Sequence, residues 1–210
     1  LTPALWFIPF AAIPVCVLAL QRIADEWPAL VGRKAALVGL WLAVACSVAA
    51  PLDWNLYRWM IRGEARQYAG VFFDFLRQNL PEKAHHLTIS PVNRRPFDEH
   101  LWDSYVNDWD RYQDLKAFLE NPAVRALLAL GDKAQVRYYD TESQAYNSED
   151  LFLRQVYAVT FPDKEGKKTF FVRLTLKRSP SARTPESFWR VEQIEGGVTP
   201  VALGGTLKSE

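Results

Sequence analysis

Cysteine is nearly absent. Cys16 and Cys46 are the only two in 210 residues, and both fall in uncharged apolar runs. The polar remainder therefore has no disulfide framework and no cysteine-based metal site. An oxidising compartment is permitted by that absence but not demonstrated by it. Histidine is scarce too, with His85, His86 and His100. No HExxH or His-x-x-x-His spacing links them. The chain also lacks a G-x-S-x-G elbow, a P-loop and a dinucleotide fingerprint. Neither sign of charge prevails, with 25 Lys plus Arg against 24 Asp plus Glu. No global basic field exists to hold nucleic acid, and no nucleic-acid partner is expected.

Charge is missing locally as well. Residues 1–20, LTPALWFIPFAAIPVCVLAL, and 35–52, AALVGLWLAVACSVAAPL, carry none. A bilayer core of roughly 30 Å needs about 20 helical residues. The two runs predict transmembrane helices over about 3–21 and 35–53, since backbone groups in lipid must pair internally. A signal peptide is the alternative for the first run, but no basic n-region precedes it. Pro3 suits a helix start, whereas Pro9 and Pro14 predict kinks. The short link 21–34 makes the pair an antiparallel hairpin. Arg22, Arg33 and Lys34 in the link oppose Arg58, Arg62 and Arg66 after it. The link's cations sit nearer the hydrocarbon, which places the link inside and the polar domain outside. Trp27, Trp54, Tyr57 and Trp59 are the expected interfacial belt. Trp41 lies mid-span.

The organisation read from this is a hairpin over 1–52, a water-soluble domain over 53–197 and a tail over 198–210. No Gly/Ser linker separates hairpin from domain. Residues 53–80 continue as a helix that Asp53 could cap and Pro81 ends. Gly63 and Gly70 weaken it modestly. Its aromatic stripe, Tyr68, Phe72 and Phe75, is expected in the core. Residues 82–96 read as a connector in which HLTIS makes a short strand, with Pro91 and Pro96 in turns. Two or three short helices follow over 97–131. Asn121 before Pro122 is a cap and a first-turn proline, and Gly131 is a stop. Then the period changes. AQVRYYDT, DLFLRQVYAVTF, TFFVRLTLKR and SFWRVEQIEG read as strands. Phe170, Val172, Leu174 and Leu176 share one face of the third, predicting an antiparallel strand with one buried face. Gly166 marks a hairpin turn and SPSARTPE a second turn. Helices followed by a four-stranded meander make an α+β domain.

The order of a long helix, shorter helices and antiparallel strands ending at FWRVEQIEGG resembles the nuclear-transport-factor-2-like, or cystatin-like α+β, fold over residues 56–196. A membrane anchor before such a domain distantly resembles the bacterial inner-membrane assembly factor of type IV secretion systems. The resemblance implies a pocket between sheet and helices, with Phe72, Tyr105, Tyr138, Tyr157 and Trp189 as its lining. Asp140 and Glu192 are the strand acids to inspect for catalysis, and both are expected to face outward.

The chemical candidates are weak. His100 with Asp103 and a loop histidine could form a site, but surface or interface histidines are the expectation. The acids Asp98, Glu99, Asp103, Asp108, Asp110 and Asp114 lack the glycine and terminal glutamate of a calcium loop and read as a solvated face. Arg94 and Arg95, with Arg173, Lys177 and Arg178, read as basic rim contacts. GVTPVALGG reads as a flexible or partner-bound tail. No catalytic residue, metal or cofactor is expected. The leading function is a non-catalytic accessory or scaffold subunit of a multi-subunit membrane complex, with lipid and other subunits as partners, in a bacterial inner membrane. The alternatives are a membrane-tethered small-ligand-binding module and a tethered enzyme.

Overall fold

The computed structural model describes residues 7–25, 32–98, 100–164, 166–180 and 187–204. The chain divides into two compact units, Leu1–Ile61 and Arg62–Glu210.

The first unit contains α1, Phe7–Asp25, and the N-terminal part of α2, Arg33–Arg77. Pro3 and Trp27 lie outside the described residues. Pro9 sits in the first turn of α1, where its missing N–H would have no helical partner anyway, while Pro14 is interior. A Cβ at Gly39 would lie 3.5 Å from Cys16 Sγ, an ordinary contact that brings α1 and α2 together here. Both helices are long and apolar enough to cross a bilayer by length and composition.

α2 is a single helix of 45 residues. Asp53 does not start a new helix, because the backbone runs unbroken through Pro51. One interior proline costs about 3 kcal/mol, and α2 continues through it all the same. The amide of Asn55 donates to the Pro51 carbonyl at 2.7 Å.

The second unit is α+β. Four short helices follow α2: α3 (Pro81–His86), α4 (Leu101–Val106), α5 (Trp109–Glu120) and α6 (Pro122–Leu130). The expected short strand in 82–96 is not formed. Pro81 opens α3 instead, and the Leu87 carbonyl accepts from Val191 N–H at 3.0 Å without a strand ladder. Asp108 caps α5 by accepting from Arg111 N–H. Asn121 caps α6 by accepting from Ala123 N–H, and its amide donates to Ile194 O at 3.1 Å. Gly131 ends α6 at φ 53, a conformation glycine adopts without steric cost.

The strands β1 (Gln135–Asn147), β2 (Asp150–Asp163), β3 (Gly166–Pro180) and β4 (Ser187–Gly196) form an antiparallel meander in chain order. Asp163 pairs with Gly166 at the β2–β3 turn, where the glycine has φ 126. The β3–β4 link, 181–186, lies outside the described residues. β1 shifts register twice, between Tyr138 and Asp140 and between Thr141 and Ser143. Such bulges bend a strand and break its alternation.

The core lies between α2 and the sheet. Phe72, Phe73 and Leu76 are buried with Leu153, Tyr157, Leu174 and Leu176, and Phe73 meets the Tyr157 ring at 4.9 Å. Each such side chain contributes roughly 1.5–3 kcal/mol by leaving water. Tyr68, Phe72 and Phe75 are the expected stripe, with Phe75 half-buried against Phe97. β3 departs from the expectation of one buried face. Val172, Leu174 and Leu176 are buried, and so are Arg173 and Thr175 between them. For Arg173 the reason is charge pairing. Arg173 donates to Glu142 at 2.7 Å and Glu195 at 2.8 Å. The segment after β4 closes over the same region. Gly197 N–H donates to Phe171 O at 2.9 Å, and Val201 N–H to Glu142 Oε1 at 2.9 Å. Residues 197–204 are thus tied to the sheet, whereas the sequence reads them as a flexible or partner-bound tail.

Candidate functional site

α4 and α5 bring an acidic and aromatic face to the surface of the second unit. Their apolar residues outnumber the buried positions available. Leu101, Tyr105 and Leu115 take the interior, with Phe118 and Leu119 packed against them. Trp102, Val106, Trp109 and Tyr112 remain exposed, Trp109 by 72%. The Trp109 and Tyr112 rings lie 6.4 Å apart. An open cleft of about 610 Å³ adjoins them, lined by Arg95, His100, Asp103, Asn107 and Trp109 among others. Asp103 lies 3.3 Å from His100 Nδ1, and Asp108 pairs with Arg111 at 3.2 Å. Large exposed aromatics are costly in water and are enriched where a partner covers them. Among the described residues, the acids form no group of three ligands for a metal ion.

The histidines are corrected by the structure. His85 and His86 are not on the surface. They are 6% and 0% exposed. His85 Nδ1 lies 2.9 Å from Tyr105 Oη, and His86 Nε2 lies 2.8 Å from Arg95 O. Burial pulls the His85 pKa down to about 4, outweighing the nearby Asp114, and burial lowers His86 as well. Both are neutral core residues at pH 7. His100 alone stays outside, with Asp103.

The basic residues are corrected too. Arg94 is not a rim contact. Its guanidinium donates to Ile89 O at 3.0 Å, Leu87 O at 3.0 Å, Trp189 O at 2.8 Å and Tyr68 Oη at 2.8 Å. Burial pushes the Tyr68 phenol up to about 12, although Arg94 opposes the shift. Lys177 pairs with Asp150 at 2.6 Å and Arg178 with Glu64 at 3.5 Å. Arg95 is exposed and lines the large cleft. Asp140 accepts from Thr141 N–H at 2.7 Å. Glu192 is exposed and pairs with Arg190 at 2.6 Å.

Of the five expected pocket residues, the structure brings two together. Tyr138 and Tyr157 stand edge to face at 5.9 Å and line one cleft of about 210 Å³. Phe72 is in the core, edge-on to Phe118 at 6.2 Å. Tyr105 is buried beside His85. Trp189 donates its indole N–H to Glu64 at 3.3 Å. The other wall of the small cleft, Arg66, Gly70, Phe73, Asp74 and Arg77 along one face of α2, is not among the residues expected from the sequence. Their spacing of four, three, one and three is the signal that could have found them.

In the first unit, Trp54, Tyr57 and Trp59 are exposed on α2, Trp59 by 71%. Arg58 lies 5.7 Å from the Trp54 ring centroid. Trp27 is outside the described residues. The chain matches no protein-family model and no curated protein.

Proposed function

We propose that this chain is a membrane-anchored accessory subunit whose α+β domain is a docking platform within a larger membrane assembly. The observation that carries the reading is where the apolar side chains of the first unit point. Ile8, Phe10, Leu18, Val38, Trp41 and Leu42 are all exposed, Trp41 by 72%. Of the most apolar stretch in each helix, 0% is buried in α1 and 12% in α2. A soluble core helix hides such residues. Surface of this kind needs lipid or protein to cover it. The hairpin over 1–52 with a belt at Trp54, Tyr57 and Trp59 supplies lipid as that cover. In this reading the host is a bacterial inner membrane with the domain on its outer side.

The docking role rests on Trp102, Val106, Trp109 and Tyr112, whose exposure marks the kind of aromatic anchors that dominate protein interfaces. The order of a long helix, short helices and a four-stranded meander supports the nuclear-transport-factor-2-like reading, and a secretion assembly is one fitting host. A second reading, a tethered ligand-binding module, is favoured by the small cleft beside Tyr138 and Tyr157.

Alkaline washing of membranes that hold the full chain tests the anchor. Retention in the bilayer fraction, with release only by detergent, is expected. Release by the wash alone would contradict the anchor.

A further inference from the structure

Arg66, Gly70, Asp74 and Arg77 form one wall of the small cleft, and Val136 and Tyr138 stand on the other. Three features together equip it for an anion with an apolar body.

The first is charge. Asp74 accepts from Arg77 at 3.2 Å, so those two largely cancel. Arg66 has no hydrogen-bond or ion-pair partner among the described residues. The cleft therefore carries an uncompensated guanidinium.

The second is preorganisation. The Arg66 guanidinium carbon lies 3.7 Å from the Tyr138 ring centroid. A guanidinium stacked on a ring keeps its in-plane N–H groups free to fork onto a carboxylate. Tyr138 is itself held, with its hydroxyl 2.9 Å from Thr141 Oγ1. Buried Gln155 donates to that same oxygen at 3.4 Å and accepts from the Tyr157 hydroxyl at 2.6 Å. A ligand there meets a platform already in place, which lowers the entropic cost of binding.

The third is space. Glycine inside a helix is about 1 kcal/mol worse than alanine. A Cβ at Gly70 would meet no atom within 4 Å, so close packing does not require the glycine. Its effect is to leave the cleft open between Arg66 and Asp74.

We propose that this cleft binds a small organic carboxylate, its charged end forked onto Arg66 and its short apolar body lying over Gly70 against Val136. The volume of about 210 Å³ is below the roughly 300–1,000 Å³ of drug-sized sites, which limits the body to a short acyl chain or a single ring. Inorganic phosphate has the charge but nothing to place on Val136. The inference does not depend on the membrane reading.

The test is titration calorimetry on the full chain in detergent, with benzoate as probe and benzamide and inorganic phosphate as controls. Any partition of benzoate into micelles cancels between wild type and variants. Saturable benzoate binding with Kd on the order of 1 mM is expected. Benzamide, phosphate and the Arg66→Gln variant should each be weaker by about tenfold or more. Gly70→Leu should fill the cleft and abolish binding while leaving helicity and thermal midpoint intact or raised. The proposal is overturned if benzoate gives no saturable heat, or if benzamide or phosphate matches it. Wild-type affinity in Arg66→Gln or Gly70→Leu would overturn it equally.

Discussion

Tyr105 Oη lies 2.9 Å from His85 Nδ1, and both side chains are buried, so one polar contact joins α4 to α3 inside the helical layer. Burial there disfavours the charged form of His85. The folded-state pKa is about 4, below the unfolded value of about 6.5. Between those values the unfolded chain binds more protons, so stability falls as pH drops from about 6.5 to 4. The loss from His85 is roughly 3 kcal/mol at about 1.4 kcal/mol per unit, and His86 adds in the same direction. Denaturant unfolding of the second unit at pH 7 and pH 4.5 measures it. His85→Phe should flatten the slope over that window, and an unchanged slope would contradict the assignment.

Arg94 holds together segments far apart in sequence. Its guanidinium satisfies carbonyls at Ile89 and Trp189 and bonds to Tyr68 Oη. A buried acceptor left without a donor costs about 1–3 kcal/mol. Arg94→Met is therefore expected to lose about 3 kcal/mol or more. Arg94→Lys should recover less than half, because an ammonium cannot fan its donors across a planar fork. Equal stability of the two variants in urea titration would count against the geometry.

Glu142 and Arg173 make a second such prediction on the other face of the sheet. The Glu142 side chain is fully buried and that of Arg173 is 8% exposed. Removing one member of a buried pair typically costs about 3–5 kcal/mol. Glu195 remains as a partner for Arg173, so Glu142→Ala is placed at the lower end, about 3 kcal/mol. Glu142→Ala also removes the acceptor for Val201 N–H. Amide exchange in residues 197–204 should then rise, and an unchanged rate would show that the segment is held by other contacts.

Gly196 is required by closeness. A Cβ there would lie 2.7 Å from Ala123 Cβ, inside the contact distance of real side chains. α6 rests on β4 at this point. Gly196→Val should cost about 1–3 kcal/mol by pushing α6 outward. Pairing it with Ala123→Gly should recover part of the loss in a double-mutant cycle, and strict additivity would deny the contact.

The elements with local signals were legible in the sequence. The Asn121–Pro122 start of α6, the Gly166 turn and the β2, β3 and β4 strands are written in adjacent residues. Sequence alternation marks only the first part of β1, because its two register shifts break the pattern. No helix starts at Asp53, because the backbone of α2 runs unbroken through Pro51. Residue type predicts surface positions for His85, His86, Arg94 and Arg173, because polar groups are mostly exposed. Their burial is made possible by partners up to 95 positions away in the chain, which no local pattern encodes. The small cleft failed for a related reason. Its α2 wall follows helical spacing, but the strands that complete it are set by sheet register.

The proposed accessory role requires docking through the exposed aromatics of α4 and α5. The most direct measurement is native mass analysis of the full chain, extracted from its own membranes in mild detergent, for wild type and for the Trp102→Ala/Trp109→Ala pair. These two side chains are exposed, so the fold should survive the change. The wild-type chain is expected to migrate in a defined assembly with other subunits, and the double variant to run free of it. A wild-type chain that migrates alone, or a variant that stays in the same assembly, would contradict it.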